Sequence, residues 1–241
     1  MNILVLAGTA EARELCHLLA AAGHNVTASL AGATRKPMPV GVPTRIGGFG
    51  GREGLQDFVQ THDIDVLIDA THPFAQRMSA SAAAIKVRHH CILQRPEWTP
   101  SADDTWIDIE TPAAAARHVK DGQIVFLATG RQTIVAFAGL GHAYVYARTI
   151  DQPTHPYPHN GEFLQGRPPF PIEHEIELFK RLEIDWLIVK NAGGPNSVSK
   201  LDAARALHIP VLMLKRPILP EAHVMSSVEE TMDWVVRLGN G

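Results

Sequence analysis

The residues of this chain that could do chemistry recur at one kind of position, directly after a short apolar run. The run Ile3-Leu4-Val5-Leu6-Ala7 stops at Gly8-Thr9-Ala10, and a helix-forming segment follows. A strand, a tight turn and a helix N-terminus make a site for phosphate, because the first helical N–H groups and the positive end of the helix dipole face one spot. Gly8 lets backbone approach closely, and Thr9 brings a hydroxyl donor that also caps the helix. An ordinary capped helix reads the same way. The dinucleotide fingerprint Gly-x-Gly-x-x-Gly would need glycines at 10 and 13, where this chain has Ala10 and Arg13.

Other run ends carry comparable groups. After the second run come Ser29-Leu30-Ala31-Gly32 and then Arg35 and Lys36, and no Asp or Glu occurs from Asn25 to Arg52. An acid here would hold the ribose hydroxyls of NAD; a small hydroxyl with cations suits a 2′-phosphate, and so NADP. The bland alternative is a solvated basic loop. The third run is followed by Gly47-Gly48-Phe49-Gly50-Gly51, an entropically costly segment unless backbone must lie against a ligand. The fourth is followed by Asp69-Ala70-Thr71-His72-Pro73-Phe74-Ala75, with Pro73 placed to begin a helix and His72 able to supply a proton.

The second half repeats the pattern with cations. Gly130, Arg131 and Gln132 follow one run, and Arg148 ends another. Lys190-Asn191-Ala192-Gly193-Gly194 follows a third, with Ser197, Ser199 and Lys200 beyond, and Lys215-Arg216-Pro217 follows the last. Single cations are usually solvated. Cations at several strand ends of one sheet edge point to a ligand with several negative charges.

The elements that must position these groups alternate. Apolar runs predict strands over 3–6, 26–30, 44–46, 66–70, 91–94, 124–128, 143–148, 186–190 and 211–215. Helices are expected over 11–22, 51–60, 74–88, 113–118, 133–138, 172–182, 198–207 and 228–238. This alternation predicts parallel sheets covered by helices on both faces. The pattern weakens over 95–108, which reads as a linker packed down by Trp98 and Trp106. Two α/β units of similar size result, the layout of a cleft enzyme, with one long sheet as the lesser alternative. The segment 151–171 holds six prolines and reads as a binding loop or lid.

Composition sets outer bounds. The 241 residues are 45% hydrophobic, enough for one large or two small cores. A formal net charge of −3 gives no general field for nucleic acid. Two cysteines, Cys16 and Cys91, read as buried thiols, without the spacing of a zinc site or a disulfide framework. No metal is expected. His89-His90, the one adjacent pair among thirteen histidines, is placed at a helix end and read as solvated. No run approaches the length of a membrane span and no leader is recognised, so a cytoplasmic protein is expected.

Taken together, the motifs resemble the precorrin-6A reductases of cobalamin biosynthesis. The resemblance is carried by Gly8-Thr9-Ala10-Glu11-Ala12-Arg13, Ser29-Leu30-Ala31-Gly32, Gly47-Gly48-Phe49-Gly50-Gly51, Asp69-Ala70-Thr71-His72-Pro73-Phe74-Ala75 and Thr129-Gly130-Arg131-Gln132. Lys190-Asn191-Ala192-Gly193-Gly194, Lys200-Leu201-Asp202-Ala203-Ala204-Arg205 and Arg216-Pro217 extend it along the whole chain. It departs from the family pattern at Val198-Ser199 and at Arg167-Pro168-Pro169-Phe170. It implies two Rossmann-like domains with parallel sheets flanked by helices and an active-site cleft between them. Residues 1–96 would bind NADPH and residues 97–241 the tetrapyrrole. It implies hydride transfer from the nicotinamide to one double bond of precorrin-6A, giving precorrin-6B.

The cofactor site would comprise Gly8, Thr9, Ala10, Ser29, Arg35, Gly48, Phe49, Gly50, Gly51, Ala70 and Thr71, with His72 as the candidate proton donor and solvent as its competitor. The macrocycle's carboxylates would meet Arg131, Gln132, Arg148, Lys190, Asn191, Gly193, Lys200 and Arg216. The next enzyme of the pathway is the one protein partner considered. The alternatives are an NADH-dependent reductase of the cobalt-containing macrocycle and a non-catalytic nucleotide or tetrapyrrole carrier. A short-chain dehydrogenase would need Tyr-x-x-x-Lys, and none of Tyr144, Tyr146 and Tyr157 has a lysine four residues on.

Overall fold

The computed structural model describes residues 1–32 and 34–239. It forms two compact α/β units, each with a six-stranded, wholly parallel sheet.

The first unit contains β1 (Asn2–Ala7), α1 (Ala10–Ala21), β2 (Asn25–Leu30), β3 (Thr44–Ile46), α2 (Arg52–Thr61), β4 (Val66–Asp69), α3 (Gln76–Ala83) and β5 (His89–Leu93). Its strands are apolar on both sides, as a sheet covered on two faces requires. Ile3, Val5, Val26, Ala28, Val66 and Ile68 pack with Leu15, Cys16 and Leu19 of α1. Leu4, Leu6 and Leu67 point the other way, onto Leu55 and Val59 of α2 and Ala82 of α3. Within this sheet the chain steps from β1 outward to β2 and β3, then returns to the other side of β1 for β4 and β5. The reversal between β1 and β4 is where an open α/β sheet leaves a crevice at its carboxyl edge.

The second unit contains β6 (Trp106–Ile109), β7 (Ile124–Ala128), β8 (Tyr144–Thr149), β9 (Gly161–Gln165), α4 (Ile172–Arg181), β10 (Trp186–Lys190), α5 (Ser199–Ala206) and β11 (Val211–Leu214). Phe126, Leu187, Val189, Val211 and Met213 pack on Phe179 of α4 and Leu201, Ala203 and Ala204 of α5. The same reversal occurs between β7 and β10.

The sixth strand of each sheet is supplied out of order. β6 follows β5 in the chain yet pairs with β11, whereas β12 (His223–Met225) follows β11 and pairs with β5. The last helix, α6 (Val228–Gly239), packs Val228 and Val235 into the core of α1 and β1. Where a division into 1–96 and 97–241 was expected, the compact units are 1–96 with the described residues from 217 onward, and 97–216. An apolar period of 3.6 identifies a helix but not the sheet it will cover.

Several expected elements change. The helices expected over 113–118 and 133–138 are of the 3₁₀ type, over Pro112–Arg117 and Arg131–Leu140. The second is two short 3₁₀ pieces joined at a kink at Phe137 (φ −97°, ψ 19°), and Ile134, Phe137 and Leu140 are buried. The helix expected over 74–88 spans only Gln76–Ala83: Pro73 lies in a turn closed by Ala75 N–H on the His72 carbonyl, at 2.7 Å. His89 and His90 lie in β5 rather than at a helix end, and the buried His90 Nε2 has no partner among the described side chains. The proline-rich segment is not one loop. β9 occupies its proline-free window and forms the edge strand beside β8.

Candidate functional site

In the first unit, β1 and β2 run side by side to Ala7 and Leu30, so their carboxyl ends leave the sheet together. Gly8 is exposed, and a Cβ placed on it would meet open space. Thr9 caps α1: its Oγ1 accepts the Ala12 N–H at 3.1 Å. The same hydroxyl donates to the Ala70 carbonyl at 3.0 Å, joining the turns after β1 and β4. This corrects the expectation of a hydroxyl donor for phosphate, since the Thr9 hydrogen is already spent on Ala70. The exposed Gly8 and the backbone N–H groups that open α1 are the other polar features of this turn, and backbone N–H groups at a helix start are suited to an anion. Thr9, Glu11, Thr71, Pro73, Leu93, Gln94 and Arg95 line a depression at this crossover. Glu11, in the first turn of α1, is neutralised by Arg95 at 2.8 Å.

After β4, Asp69 organises the turn. Its Oδ1 accepts the Thr71 N–H at 3.1 Å and the Thr71 hydroxyl at 2.6 Å, while Oδ2 is buried without a partner among the described side chains. Ala70 is fully buried. His72 accepts the Phe74 N–H on Nδ1 at 3.2 Å, so the proton of the neutral ring sits on Nε2.

The glycine run after β3 is tied to the end of β2 by the Gly47 N–H on the Leu30 carbonyl, at 2.8 Å. Gly50 and Gly51 have φ of 79° and 103°, and a Cβ on either would enter open space. Backbone conformation demands these glycines, and the space beside them stays clear. Gly48 is exposed, and Phe49 packs edge-on against Phe58 of α2 at 5.3 Å. Two residues not singled out in the sequence hold this loop. A Cβ on Gly54 would lie 1.7 Å from the Phe49 carbonyl oxygen. Arg45 donates to the Ser29 hydroxyl and to the Gly47 carbonyl, both at 2.8 Å, and to the Gly48 carbonyl at 3.0 Å. Arg35 is exposed in the bends beyond β2.

In the second unit the polar groups gather at the ends of β7, β8 and β10. Arg131 and Gln132 are exposed at the start of their 3₁₀ segment, after Gly130 at φ 80°. Arg148 does not reach outward as expected. Its guanidinium makes a two-pronged pair with Glu175 of α4 at 2.6 and 2.7 Å and lies over Phe126 and Phe170. The amphipathic pattern of α4 gives no hint that this glutamate is 1% exposed. Asn191 also turns inward: Oδ1 accepts the Trp98 N–H at 2.9 Å and Nδ2 donates to the Trp98 carbonyl at 3.0 Å. Trp98 Nε1 donates to the Gly194 carbonyl at 2.9 Å, which fixes the loop through Gly193. Arg216 donates from Nε to the Asn191 carbonyl at 2.7 Å and lies 3.6 Å from Glu97. The Arg148 guanidinium and the Asn191 side chain are thus engaged with internal partners.

Two lysines remain. Burial pushes Lys190, at the end of β10, down to about 8. Lys200 is 9% exposed, with its ammonium on the Ser197 carbonyl and 5.2 Å from the Trp98 ring centre. Burial and the nearby Arg148 lower it, Glu175 partly offsets them, and it falls to about 8. Both therefore titrate well below an ordinary lysine. Among the described residues no group of three His, Cys, Asp or Glu is placed to hold a metal.

The family described as precorrin-6x reductase CbiJ/CobK matches residues 2–236. The precorrin-6A reductase of Rhodococcus erythropolis is 43% identical, over 98% of this chain and 98% of its own length. The precorrin-6A reductase of Rhodobacter capsulatus is 37% identical, over 99% and 97%. A solved structure described as CobK precorrin-6A reductase superposes with a TM-score of 0.93 at 36% identity, covering 99% of this chain and 97% of that one.

Proposed function

We infer the function from one premise: the chain belongs to the precorrin-6x reductase family. It is a precorrin-6A reductase of cobalamin biosynthesis, reducing one double bond of the macrocycle. The observation that carries this is likeness at both levels, 43% identity from end to end and a shared fold. No helix among the described residues is long and apolar enough to cross a membrane. We place the reaction in the cytoplasm, in keeping with two buried, unpaired cysteines.

A reductase with this fold uses a nicotinamide cofactor, and we propose NADPH in particular. Ser29, the arginines near it in the sequence and the lack of any carboxylate over residues 25–52 support this choice. The open space beside Gly8, Gly50 and Gly51 fits a nucleotide lying on backbone. Gly8, Ala10, Ser29, Arg35, Gly48, Phe49, Gly50, Gly51, Ala70 and Thr71 would hold it. A bound reduced nicotinamide supplies the hydride. His72 then has a defined part: with Nδ1 held by the Phe74 N–H, Nε2 is the atom able to give a proton.

Residues 97–216 would take the tetrapyrrole, whose acetate and propionate groups call for spaced cations. Arg131, Gln132, Lys190, the backbone at Asn191 and Gly193, Lys200 and Arg216 are the proposed contacts. Lysines held at about 8 would gain protons as carboxylates bind, so affinity for the substrate should weaken above that pH.

The test is anaerobic incubation of the pure protein with precorrin-6A and NADPH or NADH. Loss of the reduced-nicotinamide absorbance with a changed tetrapyrrole spectrum supports reduction, and faster turnover with NADPH supports the cofactor. Binding of both ligands without turnover would make the chain a carrier.

A further inference from the structure

Arg45 stands apart from the other arginines at the strand ends. It lies in β3, directly in register with Ser29 of β2, so both side chains leave the same face of the sheet one residue before its carboxyl edge. Its guanidinium is stacked 3.9 Å from the Phe49 ring centre and 5.5 Å from that of Phe58. Its hydrogen-bond partners are all neutral: one hydroxyl and two carbonyls. Among the described residues no carboxylate pairs with it, whereas Arg95, Arg148, Arg205 and Arg216 all have one within 4.0 Å. A guanidinium that is half-buried, held rigid and left uncompensated is prepared for an anion.

The hydrogen-bond directions point the same way. Three of the five N–H groups of an arginine are used here, and Nε and one Nη2 hydrogen have no acceptor among the described residues. Because Arg45 donates to the Ser29 oxygen, the Ser29 hydrogen must look for an acceptor elsewhere, and none is present among the described residues. Ser29 is only 5% exposed, so that donor can serve only a group that sits directly on it. A hydroxyl donor and a fixed cation together match the oxygens of a phosphomonoester. The open side of the glycine run beside them leaves room for one.

We infer that Arg45, rather than the exposed Arg35, is the cation that reads the 2′-phosphate of the cofactor, with Ser29 as its hydroxyl partner. This rests on the NADPH reading given above. It makes Arg45 a specificity-determining residue as well as the clamp on Gly47 and Gly48.

The experiment compares kcat/KM for NADPH and NADH in the wild type and in Arg45→Gln, Ser29→Ala and Arg35→Gln, with titrations of 2′,5′-ADP and 5′-AMP. Losing a charge-assisted contact should lower kcat/KM for NADPH roughly 10- to 100-fold in Arg45→Gln, while NADH changes less than about threefold. Ser29→Ala should lose roughly three- to tenfold with NADPH alone. Binding of 2′,5′-ADP should weaken in both variants, with 5′-AMP unaffected. Equal losses for both cofactors would reduce Arg45 to a loop clamp and overturn the inference. Selectivity abolished by Arg35→Gln but retained in Arg45→Gln would overturn it as well. A wild type that favours NADH would refute the NADPH reading itself, and that result is read before any variant. If Arg45→Gln does not fold, Ser29→Ala and Arg45→Lys decide, and unaltered selectivity in both counts against the inference.

Discussion

Lys200 shows how much one residue's surroundings can change its meaning. In water its ammonium would lose its proton only near pH 10.5; burial beside Trp98 lowers this to about 8. Between those values the unfolded chain binds a proton that the folded chain does not, so stability rises as pH climbs from about 8 to about 10.5. Lys200→Met should therefore be the more stable protein at pH 7, by on the order of 2 kcal/mol, with the gap closing toward pH 10 in thermal melts. Arg148 and Glu175 behave in the opposite sense. Glu175→Ala strands a buried guanidinium and should destabilise by about 3–5 kcal/mol in urea unfolding, whereas Arg148→Met with Glu175→Leu should recover most of the loss. At His72, asparagine can still accept the Phe74 N–H but has no Nε2 donor. His72→Asn should lower kcat about 100-fold with KM for the cofactor little changed. An unaltered kcat would assign the proton to solvent.

Among the elements, the loop between β3 and α2 carries the most information. Its glycines were visible in the sequence as a cost needing a reason, and the reason is partly conformational, since Gly50 and Gly51 have positive φ. What holds the loop was not visible. Gly54 lies inside α2, where alanine would ordinarily stabilise the helix by about 1 kcal/mol. Here its Cβ would collide with the Phe49 carbonyl. Gly54→Ala should therefore lower the melting temperature and raise KM for the cofactor; a stabilised variant with unchanged KM would show that this contact does not set the loop. The helix expected near 133–138 is there, but its 3₁₀ type and its kink at Phe137 were not legible, because over so few residues apolar spacing does not separate a period of three from one of 3.6. β9 escaped notice because prolines on both sides outweighed a five-residue strand.

For the whole molecule, the decisive feature is the return of the chain to its first unit. Met225 on β12 is buried in the core built by β1, β2 and α1, together with Val228 and Val235 of α6. Met225→Ala should cost about 2–5 kcal/mol and lower the stability of that unit, although the residue lies more than 200 positions from β1. Separate probes of the two units, such as hydrogen exchange followed by proteolysis, would show the loss among residues 1–96. If the loss fell among residues 97–216 instead, β12 would not be a working part of the first sheet. The sequence alone determined the α/β class, the order of nearly all the helices, nine of the strands and, by resemblance, the reductase family. These follow from local periodicity and from short motifs, which depend on neighbours in the chain. The tertiary structure decided which sheet each terminal strand joins, which cations are spent on internal partners, and that Arg45 rather than any motif residue clamps the glycine loop. Those outcomes depend on pairings between distant residues, such as Arg148 with Glu175, Thr9 with Ala70 and β12 with β5. No local pattern records a partner's position.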